Sequence, residues 1–101
     1  MAATPTLFHR AAAATSSTTL YTVPAATTAV LTDIVVSNTS SNQQYVTMTV
    51  DGVNILPTVP VSANTVITIQ PKTVIPTGDI IAGFATSADV KLHISGVEVT
   101  A

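Results

Sequence analysis

Thr27-Thr28-Ala29-Val30-Leu31-Thr32-Asp33-Ile34-Val35-Val36-Ser37 is the longest unbroken run of strand-forming residues in the chain. Its β-branched and threonine side chains suit a pleated backbone and crowd a helix. With a period of two, Val30, Ile34 and Val36 share one face, and Leu31 and Val35 share the other. The pattern predicts a strand that is apolar on both sides. In a two-layer protein, one of those sides then needs a covering partner, either a neighbouring subunit or the N-terminal segment.

Working outward, strand signals recur at short intervals with turn signals between them. Leu20–Val23 is a strand closed by Pro24. Ser37–Asn42 is a polar loop. Tyr45–Val50 alternates cleanly, with Val46, Met48 and Val50 on the apolar side. Asp51-Gly52 lies between two apolar runs and predicts a type I′ hairpin into Val53–Leu56, because that turn needs positive φ at both central positions. Pro57 and Pro60 remove ladder donors and place their segment on a sheet edge. Ser62-Ala63-Asn64 is a turn before Thr65–Gln70, whose Ile67 and Ile69 point inward. Thr73–Ile75 is a short segment, and Pro76-Thr77-Gly78-Asp79 is a second tight turn. Ile80–Ala85 and Val90–Thr100 are predicted to close the chain as a hairpin over Thr86–Asp89.

In the last strand Val90, Leu92 and Ile94 have one parity, and Val97 and Val99 have the other. A bulge at Ser95-Gly96 would return the later valines to the core; without one they face outward, toward a neighbour. The helix-like run Ala11–Ala14 is too short to stand alone and is ended by Thr15–Thr19. The expectation is an all-β chain: a single small β-sandwich, jelly-roll or Ig-like, over residues 20–101, preceded by an extended N-terminal arm over residues 1–19, in which Thr6–Arg10 is either a short edge strand or part of the arm.

Composition narrows the function. Of 101 residues, 47% are hydrophobic and only 8% charged, with a net charge of −2; mean hydropathy is +0.54. A folded monomer of this mass exposes roughly 5,400 Å², so three basic and five acidic side chains must serve that whole area. A skin of Thr, Ser, Asn and Gln repels itself weakly and tolerates contact with neighbours, as charge-depleted interfaces do. Arg10, Lys72 and Lys91 are scattered, which sets aside nucleic-acid binding and a polybasic membrane anchor. Cysteine is absent, so disulfides and thiol chemistry are excluded. Met1–Pro5 lacks a basic n-region, and no apolar stretch is long enough for a signal peptide or a membrane-spanning helix. The expected place of synthesis and use is a cytoplasm.

Chemistry-bearing patterns are sparse. His9 and His93 share no metal-ligand spacing with each other or with the acids, so neither a metal nor any other cofactor is expected. No Gly-x-Ser-x-Gly elbow is present, and Asp51 and Asp79 sit beside glycines in turns, where they favour the turn itself. Asp33 is the one acid inside a strongly apolar strand; it is either a functional acid or a residue facing solvent or a neighbouring chain. Asn38-Thr39-Ser40 matches a glycosylation sequon but reads better as loop. Sugar platforms are usually aromatic, and here Phe8, Tyr21, Tyr45 and Phe84 are the only aromatics, which leaves a receptor- or glycan-binding module as the lesser alternative. No enzyme activity is expected.

Leu20-Tyr21-Thr22-Val23-Pro24-Ala25, Ala29–Thr39, Val46-Thr-Met-Thr-Val-Asp-Gly52 and Leu92-His93-Ile94-Ser95-Gly96-Val97 together resemble a family of small β-sandwich modules in the virion proteins of tailed bacteriophages. Those modules occur as head-decoration proteins, head fibres and minor tail proteins. The resemblance covers residues 20–100. It implies a structural protein of the virion, assembled in the host cytoplasm, that associates with itself as trimers or larger rings and with major capsid or tail proteins. A capsid decoration protein is the first expectation and a minor tail or tail-accessory protein the alternative. The family often has Pro-Ala-Gly where this chain has Pro24-Ala25-Ala26, which puts a positive-φ turn there in question. The candidate contact residues are Leu7, Phe8, His9 and Arg10 from the arm, expected to lie on a neighbouring subunit, with Tyr45 and His93 from strands.

Overall fold

The computed structural model describes residues 2–100. It is all β: among the described residues there are nine strands and no helix. They run β1 (Ala2–Ala12), β2 (Thr18–Thr22), β3 (Thr27–Asn38), β4 (Gln44–Val50), β5 (Val53–Val61), β6 (Thr65–Ile69), β7 (Thr73–Ile75), β8 (Ile80–Ala85) and β9 (Val90–Thr100). Two antiparallel sheets pack face to face. One has the order β1-β9-β3-β6, with β7 continuing the β6 edge of β3; the other has the order β2-β8-β4-β5. Six of the eight connections cross from one sheet to the other; β4–β5 is a hairpin, and β6 and β7 follow each other along the same edge of β3. Interleaving 1-9-3-6 against 2-8-4-5 is jelly-roll wrapping, so of the two sandwich topologies expected from sequence it is the jelly roll that forms.

Three expectations change. First, β8 and β9 are not a hairpin. β8 pairs with β2 and β4, while β9 pairs with β1 and β3. Thr86–Asp89 is a bridge between layers, held by Thr86 N–H on Tyr45 O (3.0 Å) and Thr39 N–H on Asp89 O (3.1 Å). Second, the N-terminal segment, expected as an arm with a short edge strand over Thr6–Arg10 as the other reading, is the edge strand β1 over its longer span, in register with β9 from Ala2↔Thr100 to Ala12↔Lys91. Phe8 gives the reason. It is buried against the core, and its ring stacks on Tyr21 at 4.3 Å between centroids; burying an aromatic of this size repays the ordering of the strand. The exposed area of 5119 Å² is close to the roughly 5,400 Å² of a folded monomer of this mass.

Third, β3 is not apolar on two faces throughout. Its pairing with β9 shifts between Leu31 and Asp33, leaving Thr32 as an extra residue. This bulge changes the parity. Ala29 and Leu31 point inward before it, Ile34 and Val36 point inward after it, and all four are fully buried. The leftover apolar residues, Val30 and Val35, are half-buried on the outer face. A matching bulge lies in β1 between Leu7 and His9. β9 itself carries no extra residue, so Val97 and Val99 face outward while Ile94, Gly96 and Glu98 face inward.

Gly96 sits where the two bulges meet. A Cβ there would lie 2.0 Å from the Val30 carbonyl oxygen and 2.8 Å from Phe8 Cε2, so a side chain has no room. The core fills the space between the sheets with Leu31, Ile34, Val36, Ile75, Leu92 and Ile94 from one layer and Val46, Met48, Leu56, Val61 and Ile81 from the other. The Asp51-Gly52 turn forms with φ of 52° and 77°, as type I′ requires. β5 is an edge strand, as its prolines predict, and Pro57-Thr58 form a bulge between Leu56 and Val59. Ala26 takes φ 54°, so the turn after Pro24 keeps its left-handed residue without glycine.

Candidate interaction surface

The register of the five-stranded sheet fixes what its outer face presents, because directly opposed residues share a face. Pro5 pairs with Val97, Val97 with Val30, and Val30 with Val74, an apolar row crossing four strands. On one side of it lies Ala3–Val99–Thr28. On the other lies Leu7–Ser95–Asp33, followed by Arg10–His93–Val35–Thr68 and Ala12–Lys91–Ser37–Val66. Leu7, Val66 and Val74 are 49%, 56% and 62% exposed. Apolar side chains standing in register on an outer face are the feature that marks contact surfaces, whereas single exposed hydrophobics carry no such meaning.

The bulges open a shallow depression of about 450 Å³ on this face, lined by Pro5, Leu7, Arg10, Thr32, Ser95 and Val97. Asp33 borders it, half-buried. Its carboxylate accepts from Gln70 Nε2 at 3.2 Å and from the Thr32 hydroxyl at 3.3 Å. It therefore behaves as a hydrogen-bond acceptor on a sheet surface, with partners from β3 and the following edge.

The residues singled out from sequence separate. Leu7, Arg10 and His93 lie together on this face, with Arg10 directly opposite His93. Phe8 is in the core beneath it. His9 follows the bulge and is half-buried; its Nε2 is enclosed without a hydrogen-bond partner. Tyr45 is on the opposite sheet, where its hydroxyl accepts from Gln43 Nε2 at 3.1 Å. Of the six, three belong to one surface. Pro5, Val30 and Val74 complete that surface and were not singled out; Val30 is left outward by the parity change in β3, while Pro5 and Val74 are placed there only by the pairing of β1 with β9 and of β7 with β3.

Two polar clusters elsewhere serve the fold. Tyr21 reaches from β2 across to β9 and donates its hydroxyl to Glu98. Burial first, then the hydrogen bond and the negative charge of Glu98, push the phenol above its usual range. The buried Asn38 side chain donates to Asn42 O (2.9 Å), Val61 O (3.0 Å) and Ser62 O (3.2 Å) and accepts from Ser40 N–H (2.9 Å). That clamp removes the sequon asparagine from the surface. Among the described residues no three His, Cys, Asp or Glu side chains come together as a metal site, and no helix is long and apolar enough to cross a membrane.

No protein-family model gives a significant match to the chain, and neither does any curated protein sequence or solved structure.

Proposed function

We propose that this protein is a non-enzymatic structural protein of a tailed-bacteriophage virion, a capsid decoration protein that joins the head lattice through its β surfaces. The observation that carries the structural role is the in-register apolar row on the outer face of the five-stranded sheet, on a molecule with only eight charged side chains. A surface of this kind is suited to packing against protein. The virion assignment rests on the sequence phrases over residues 20–100. The jelly roll is compatible with it, being one of the architectures used by viral capsid domains, though a fold alone assigns no function. Repeated copies on a lattice add their binding by mass action, so each contact can be modest.

Mass spectrometry of purified virions from the phage that encodes the chain, followed by immunogold labelling of intact particles, tests the proposal. The chain is expected in the particles, with gold over the heads. Gold confined to the tails would make it a tail protein, and its absence from particles would overturn the proposal.

A further inference from the structure

We propose that the outer face of the five-stranded sheet is a self-association surface, on which a second copy of this chain packs about a two-fold axis running parallel to the strands between β3 and β9. The proposal rests on the packing role assigned to this face and commits it to a second copy, a two-fold pair in place of the trimers or larger rings that the resemblance implies; the lattice is then met by the β surfaces that the pair leaves exposed.

The register supplies the first argument. A rotation about that axis keeps each residue's height along the strands and exchanges β9 with β3, and β1 with the β6–β7 edge. The apolar row then meets itself, with Val97 over Val30 of the second copy and Pro5 over Val74. An isologous contact needs such self-complementarity. On one side Val99 extends the apolar centre between Ala3 and Thr28, and on the other Ser95 and Asp33 bound it with polar groups.

Charge supplies the second argument. In this arrangement Ser95 lies over Asp33 of the second copy, and His93 lies one row further along the same strand, roughly 7 Å away by strand geometry. Each Asp33 carboxylate then lies diagonally across from the other copy's His93, about 12 Å away backbone to backbone and within reach of the two side chains, with Arg10 flanking His93 across the strand. The acid of this face thus meets a basic pair, and the symmetry makes the pairing twice.

Area supplies the third. Five rows on four strands cover roughly 20 Å by 30 Å, on the order of 1,200 Å² for the two copies together, which reaches the range of specific interfaces. Two aligned sheets pack in this way about 10 Å apart.

Sedimentation equilibrium of the full chain gives the test. The expected mass is twice 10.3 kDa. Val97→Glu and Val74→Glu are each expected to weaken association at least tenfold with an unchanged far-ultraviolet spectrum, while Val53→Glu, an exposed site on the other sheet, leaves the mass alone. Val74 is 62% exposed, so the new carboxylate stands in water in the single chain, and the unchanged spectrum and melting of this variant separate lost association from lost folding. Asp33→Arg and His93→Glu chains should each associate weakly alone and recover when mixed, because the cation introduced on one chain then faces the carboxylate introduced on the other. A wild type that stays at single-chain mass, a three-fold mass, or insensitivity to Val74→Glu would overturn the proposal. A single-chain mass in a protein still found on virions would sink this inference and leave the proposed function standing.

Discussion

Substituting Gly96 by alanine puts one methyl group at the junction of the two bulges. Its carbon would stand 2.0 Å from the Val30 carbonyl oxygen, with Phe8 Cε2 and Cζ at 2.8 and 3.0 Å. The carbonyl is backbone in the central pair of the sheet and cannot rotate away. Strands β3 and β9 must part locally by about an ångström or more, weakening the adjacent ladder hydrogen bonds at about 1 kcal/mol each. Displacing the Phe8 ring from its stack on Tyr21 adds an overpacking cost of about 1–3 kcal/mol. A less flexible unfolded chain returns about 0.4–1 kcal/mol. With two ladder bonds weakened, the expected net loss is about 2–5 kcal/mol, a large part of the roughly 5–15 kcal/mol that holds a domain of this size. In thermal melts it corresponds to a fall of roughly 10–40 °C. Urea unfolding with a common m-value is the assay. Combining the change with Phe8→Leu separates the two terms, since a smaller side chain relieves the ring clash and leaves the carbonyl clash intact. Gly83→Ala is the comparison: its nearest contact is Thr47 O at 2.9 Å, and it should cost clearly less. A Gly96→Ala protein within about 1 kcal/mol of wild type would refute the account of the bulge junction.

Ala26→Gly should stabilise the protein by about 0.5–1 kcal/mol, because Ala26 holds a left-handed φ of 54° that costs a residue with a Cβ more than it costs glycine; chemical denaturation reads this directly. Asn38→Ala should cost about 3 kcal/mol by stranding the carbonyls of Val61 and Ser62, with faster amide exchange in the 38–42 and 61–64 loops as the local sign. Tyr21→Phe should destabilise at neutral pH, and the difference should close at high pH. Because the folded-state phenol titrates above its unfolded value near 10, its contribution is complete below about pH 10 and falls as pH rises toward the folded pKa. Stability curves of wild type and variant that stay parallel through about pH 11 would contradict the Tyr21–Glu98 contact.

Much of the fold was legible without coordinates. The β-branched runs, the Asp51-Gly52 hairpin, the edge role of the Pro57–Pro60 segment and the inward Ile67 and Ile69 follow from φ preferences, missing donors and a period of two. These are local properties of a few adjacent residues. The alternation of Val90, Leu92 and Ile94 with Val97 and Val99 also announced an outward valine pair, provided that β9 runs without a bulge, as it does.

Local pattern could not say which strand lies beside which. Ile80–Ala85 and Val90–Thr100 look like hairpin partners, yet jelly-roll wrapping sends them to different layers, because each finds better cover against strands far away in sequence. Nor could it place the extra residues in β1 and β3. A bulge is a property of a pair of strands, and it is set here by Gly96 leaving room for the Phe8 ring and the Val30 carbonyl. That one accommodation lays the expected arm on its own sheet as an edge strand, where a neighbouring subunit was expected beneath it, returns Ile34 and Val36 to the core, and lines up Pro5, Val97, Val30 and Val74 on the outside. Where the strands lie and how little charge they carry are written along the chain. Which apolar side chains are left over was settled by strand pairing alone, since register is a relation between segments that no single segment contains.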